Sequence, residues 1–128
     1  MPKQAYYRKL FFYGAIWNWA AAGTFIIGYK MLFPIFGMPL PAYPVFFLLF
    51  LGLCFVFGLG YFWVSRDIDN NHGIVMMGIW GKLLVFAGLL WASVSGQIHV
   101  VLLGAGIVDL LFAVLYLEFL STAKRYGA

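Results

Sequence analysis

Four stretches of this 128-residue chain run almost free of formal charge: Leu10 to Tyr29, Val45 to Val64, Ile74 to Ala92 and Ile98 to Leu120. Apolar positions follow one another continuously and do not alternate with polar ones, so no strand period is present. Each stretch is about 20 residues long, the length a helix needs to cross a hydrocarbon core roughly 30 Å thick. Backbone groups in lipid are satisfied only in helices or closed barrels, and continuous runs fit helices. The pattern predicts an all-α fold: a single transmembrane domain over residues 1–128, built as an antiparallel four-helix bundle with helices at about 10–29, 45–64, 74–92 and 98–120. The first run is too long for a signal h-region, and no small-x-small site follows it, so no cleaved leader is expected.

The connections refine this picture. KMLFPIFGMPLPAYP, between helices 1 and 2, holds Pro34, Pro39, Pro41 and Pro44 among apolar residues. Those prolines forbid a regular helix there, which predicts an ordered loop lying in the interface. SVSGQ, between helices 3 and 4, predicts a tight turn and an antiparallel hairpin. SRDIDNNHG, between helices 2 and 3, opens like a calcium loop with Asp67, Asp69 and Asn71. His72 then stands where glycine is required and Gly78 where a bidentate glutamate is required, so a solvated turn with Asp67 or Asp69 capping helix 3 is expected instead. GAIWNWAAAG from Gly14 and GIWGKLLVFAG from Gly78 echo each other, with a gap, as two parallel helical hairpins would.

Composition agrees with membrane residence, at 65% hydrophobic, 21% aromatic and 9% charged. The formal net charge of +4 is distributed unevenly. Lys3, Arg8, Lys9, Arg66, Lys124 and Arg125 gather at one end of the predicted bundle, Lys30 stands at the other, and Lys82 is inside a helix. The positive-inside rule then places both termini in the cytoplasm. The basic excess reads as topology and contact with anionic lipid headgroups, and no nucleic-acid motif accompanies it.

Lys82, in GIWGKLLVF, raises the main question. Residues equally far from the helix 3–4 turn lie level, and the midpoint of 82 and 109 falls within SVSGQ. Lys82 and Asp109 are therefore expected at one height, and His72 and Glu118 at another. Asn18 lies as far into helix 1 as Lys82 does into helix 3, about 12 Å. Asn18, Lys82 and Asp109 thus converge on a polar layer in the cytoplasmic half. Gly14, Ala22, Gly78, Gly106 and Ala113 share their faces, and small residues mark the packed faces of membrane helices. An unpaired lysine or aspartate mid-helix costs about 2.5–3.5 kcal/mol on insertion scales. Three readings stand side by side: a functional site, an ion pair that pins the register of helices 3 and 4, and a lysine that snorkels to the headgroups.

The remaining candidates carry less chemistry. Trp17 and Trp80 lie near the polar layer in depth and are candidate walls of a ligand slot. The other tryptophans and His99 fit interfacial belts, and Cys54 fits packing with no disulfide partner. His72 and Glu118 form a candidate secondary pair. No catalytic triad, HExxH, CxxC or phosphate loop exists, and no metal set converges, so an enzyme acting alone is disfavoured.

The run GLGYFWVSRDIDNNHGIVMMGIWGKLLVF, with Gly60, Tyr61, Arg66, Asp67, Ile74, Val75, Gly78, Gly81 and Lys82, followed by Asp109, resembles small four-helix bacterial inner-membrane proteins with a GY…RD…IVxxGxxGK pattern. The layout is also broadly similar to the DoxX-like group, some of which are linked to quinone-dependent redox systems. The resemblance implies the bacterial inner membrane and the same buried site. The first functional reading is binding of a lipid-like or quinone-like molecule, with Asn18 and Lys82 at its head, Asp109 fixing Lys82, and Trp17 and Trp80 as walls. Two others stand beside it: an accessory or assembly subunit of a membrane complex or a homo-oligomer, with Gly52, Gly58 and Gly60 of helix 2 open to a partner helix, and a small transporter or proton relay. The cofactor is left unknown.

Overall fold

The computed structural model describes residues 3–126. Four helices follow one another: α1 (Gln4–Ile35), α2 (Pro44–Arg66), α3 (His72–Val94) and α4 (Leu103–Arg125), the last preceded by a 3-10 turn over Val100–Leu102. All four are long and apolar enough to cross a membrane, and the described residues contain no strand. The protein is an all-α, multi-pass membrane four-helix bundle. Tyr7, Ile68 and Ala123 share one core, so both chain ends and the α2–α3 connection lie together at what we term the terminal end. The α1–α2 and α3–α4 connections meet at the distal end, where the Phe36 and His99 rings are 5.7 Å apart.

Helix α1 runs further than its apolar stretch, with Pro34 inside its last turn. The expected loop from Lys30 to Pro44 shrinks to residues 36–43. A proline this close to a C-terminus removes a single intrahelical bond, and the end is secured otherwise. Gly37 adopts φ +68°, its N–H donates to the Pro34 carbonyl (3.0 Å) and the Met38 N–H to that of Phe33 (2.9 Å). That is a Schellman cap, with Met38 buried over it. The same device ends α3: Gly96 has φ +75°, its N–H donates to Ser93, and that of Gln97 donates to Ala92 at 2.8 Å. Neither Asp67 nor Asp69 caps α3. Asn71 is its N-cap and turns its amide back to the Asp67 carbonyl, while the Asp67 carboxylate accepts from Asn70.

The close helix pairs are α1–α2 and α3–α4, and the two hairpins join through an aromatic core at the terminal end. Phe11 stacks on Tyr116 at 4.5 Å and meets Phe119 edge-on at 5.1 Å, and Tyr7 meets Phe119 at 5.0 Å. Such pairs contribute about 0.5–1.5 kcal/mol each beyond burial. They matter more here because lipid supplies no hydrophobic force between helices.

The hairpins repeat one another. Phe11, Gly14, Ala15 and Asn18 of α1 correspond to Val75, Gly78, Ile79 and Lys82 of α3, 64 positions on, and all are buried. Leu51, Gly58, Tyr61, Val64 and Ile68 correspond to Gly106, Ala113, Tyr116, Phe119 and Ala123, 55 positions on, and these five are all the buried residues of α4. The cross-contacts are reciprocal: Gly14 faces Tyr116 across the bundle, and Gly78 faces Tyr61. Reciprocal contact of this kind is the mark of a two-fold relation. The repeat needs no gap within a helix, but its two offsets differ by nine residues (64 − 55), a gap taken up at the distal end of the first hairpin. It pairs Trp17 with Gly81, so Trp17 and Trp80 are not equivalent, despite the echo in sequence.

Candidate functional site

Two close helix approaches build the polar layer. A Cβ on Gly58 would lie 3.2 Å from that of Asn18 and 2.7 Å from Trp19 Cδ1, so only glycine admits α1 this near to α2. Two side chains of α1 then reach successive carbonyls of α2: Asn18 Nδ2 donates to Cys54 O (2.8 Å) and Trp19 Nε1 to Phe55 O (3.2 Å). Gly78, one turn before Lys82, admits the Tyr61 ring, whose Cε1 would lie 2.6 Å from an added Cβ.

Lys82 enters this frame and finds its partners there. Its Nζ donates to Asp109 Oδ1 at 2.8 Å and to Asn18 Oδ1 at 3.1 Å. Trp17 Nε1 donates to the same Asp109 oxygen at 3.1 Å. The ammonium also lies 5.1 Å from the Tyr61 ring centroid and 5.2 Å from that of Phe112, within cation–π range. With side chains 4% and 14% exposed, Lys82 and Asp109 form a buried pair, and the amine does not snorkel. Asn18, Cys54 and Lys82 sit close to the mid-length of their helices. The layer is thus central, not confined to the half nearer the termini. Helices α1 and α3 extend beyond the expected spans equally at both ends, so Asn18 and Lys82 stay near their midpoints.

A cavity of about 620 Å³ opens from this layer towards the distal end, between the hairpins. Trp17, Asn18 and Cys54 form its inner end. Ala21, Phe25, Phe47, Phe50, Val85 and Leu89 are among its walls, and Met38, Pro39 and Gln97 stand at the connections. From Asn18 to Phe33 along α1 is about 22 Å, so the space is long and almost wholly apolar. The lining follows the repeat, since Ala21 and Phe25 correspond to Val85 and Leu89.

Several expected roles change. Lys82 and Asp109 lie outside the cavity wall, behind Asn18 and Trp17. Trp80 is 69% exposed and faces away from the bundle, so it walls nothing. His72 and Glu118 do not pair. The His72 ring stands edge-on to Phe119 at 5.5 Å, and Glu118 turns to α1, where Oε1 accepts from the Tyr7 hydroxyl (2.8 Å) with Lys3 Nζ at 4.0 Å. His72 Nε2 and Glu118 Oε2 are buried without partners. His99 Nδ1 accepts from the Val101 N–H at 3.0 Å and caps the 3-10 turn. Of the two rings that flank the ammonium, the sequence marks Tyr61 only as part of the GY pattern and Phe112 not at all. The four-residue step from Gly78 to Lys82 announces a close neighbour but does not name it.

Comparison of the chain with protein-family models, with curated proteins and with solved structures gives no match.

Proposed function

We propose that this membrane protein binds a long, apolar, lipid-like or quinone-like molecule between its two hairpins. The observation that carries the reading is the cavity of about 620 Å³ running from the polar layer to the distal connections. Ligand sites of such molecules are concave and mostly apolar, with a few fixed polar groups. Asn18 is engaged on both amide atoms, by Lys82 and Cys54. In this reading the charged pair acts at second hand: it holds Asn18 and Trp17, and those two and Cys54 meet the ligand's head. The same reading keeps the six-to-one basic asymmetry as cytoplasmic termini, and the GY…RD…IVxxGxxGK resemblance as residence in a bacterial inner membrane.

The rival readings have less support. A conduction path would need to pass the aromatic core at the terminal end, where Tyr7, Phe11, Tyr61, Tyr116 and Phe119 are almost wholly buried. An assembly interface through the glycines of α2 loses two of its three positions, because Gly58 faces Trp19 and Gly60 faces Ile74 within the chain.

Native mass spectrometry with lipid extraction tests the proposal. Gly88 lines the cavity, and a Cβ there meets nothing within 4 Å. Gly88→Leu should therefore fold, fill part of the space and lose a small molecule that the wild type retains. Lys82→Met should lose it through disorder of Asn18. An adduct unchanged in Gly88→Leu, or no adduct in either protein, would refute the reading.

A further inference from the structure

The first hairpin carries a feature that its repeat lacks. Arg8 and Lys9 of α1 and Arg66 at the end of α2 surround a recess of about 250 Å³ at the terminal end. Phe12, Tyr13 and Phe62 form its apolar side. Arg8 is held in place, its Nη1 donating to the Arg66 carbonyl at 3.2 Å. No carboxylate compensates the three cations: the ion pairs among the described residues are Lys3–Glu118 and Lys82–Asp109. The positions equivalent to Arg8, Lys9 and Arg66 in the second hairpin are His72, Gly73 and Ser121. The hydrophobic pattern of the hairpins is kept through the repeat, whereas this cluster is confined to one copy. Packing therefore does not require it.

We propose that this recess is a binding site for the headgroup phosphate of an anionic phospholipid from the leaflet at the terminal end. Depth selects a lipid. The cations sit where the apolar run of α1 begins at Leu10, at the level of headgroups, and Phe12 and Tyr13, 42% and 60% exposed, continue towards the hydrocarbon. A soluble phosphate would leave that aromatic side uncovered, while an acyl chain covers it. Charge selects an anionic lipid, because three clustered cations gain little from a zwitterionic headgroup. Basic pockets between membrane helices bind acidic headgroups by the same physics.

The site is independent of the distal cavity and is tested separately. Protein in a neutral detergent is mixed with equal amounts of phosphatidylglycerol and phosphatidylcholine, and retained lipid is read by native mass spectrometry. One phosphatidylglycerol should be retained in preference. Arg8→Gln, Lys9→Gln and Arg66→Gln should each lower its retention about fivefold, the effect of roughly 1 kcal/mol per basic residue at an anionic surface. Arg125→Gln, at the same end but outside the recess, should leave it unchanged. Circular dichroism checks the fold; the Lys9 side chain makes no hydrogen bond or ion pair among the described residues, so Lys9→Gln decides the matter if Arg8→Gln is misfolded. Equal retention of the two lipids, an equal loss in Arg125→Gln, or displacement of the lipid by free glycerol phosphate would each overturn the proposal.

Discussion

Asp109 Oδ1 receives both the Lys82 ammonium and the Trp17 indole N–H, so one oxygen ties α1, α3 and α4 together. Removing the charge there is expected to hurt more than removing the pair. Asp109→Asn leaves a buried ammonium without its counter-ion, and breaking a buried pair from one side costs about 3–5 kcal/mol. The double variant Lys82→Met/Asp109→Leu replaces both groups with apolar ones and should recover most of that loss. Equilibrium unfolding in mixed micelles of wild type, Lys82→Met, Asp109→Leu and the double variant gives the coupling directly, with Asp109→Asn measured beside them. A double variant as unstable as Asp109→Asn would mean that the pair contributes through something other than mutual charge compensation.

Between elements, the reciprocal glycine–tyrosine contacts set how closely the hairpins approach. The Tyr116 hydroxyl is buried without a partner and is the atom that a Cβ on Gly14 would strike, the ring carbon behind it being 3.2 Å away. Gly14→Ala should therefore cost about 1–3 kcal/mol by overpacking. Tyr116→Phe removes an unsatisfied polar group and should be neutral or slightly stabilising; combined, it should make Gly14→Ala tolerable. Thermal unfolding in detergent checks both, and no rescue by Tyr116→Phe would show that the backbone, not the hydroxyl, limits the approach. Much of this level was legible in the sequence. The charge-free runs gave the spans, and counting from the SVSGQ turn gave the Lys82–Asp109 contact. The same counting failed for His72 and Glu118 because it fixes height and not bearing. Each helical residue turns the side chain by about 100°, and Phe119 occupies the bearing that would have joined them. Trp80 failed likewise: level with the polar layer, it points outward. Pro34 in helix was hidden because a proline in the last turn removes only a single bond; taking it as a breaker moves the expected end of α1 back and leaves Gly37 inside a loop, where its cap signal cannot be placed.

At the scale of the whole molecule, two repeated hairpins enclose an aromatic core at one end and a cavity at the other. The hairpins are held together by the aromatic core and by the Lys82–Asn18 and Trp17–Asp109 hydrogen bonds, and the connection between them is the exposed run around Asn70, so covalent continuity should be dispensable. Residues 1–70 and 71–128, co-expressed as separate chains, are expected to co-purify as a complex with the helical content of the intact protein; recovery of either half alone would contradict an obligate pairing of hairpins. The repeat is also unequal in a telling way. Both charges of the polar layer, Lys82 and Asp109, belong to the second hairpin, and the equivalent positions of the first are Asn18 and Cys54. During biosynthesis the first hairpin can enter the bilayer with no ionised side chain in its interior. The second brings a cation and an anion joined through a short turn, so each is neutralised by the other as the pair of helices crosses. Neither hairpin has to wait for the other before leaving the insertion machinery, and the docking of Asn18 and Trp17 onto the finished ion pair becomes the last step of assembly.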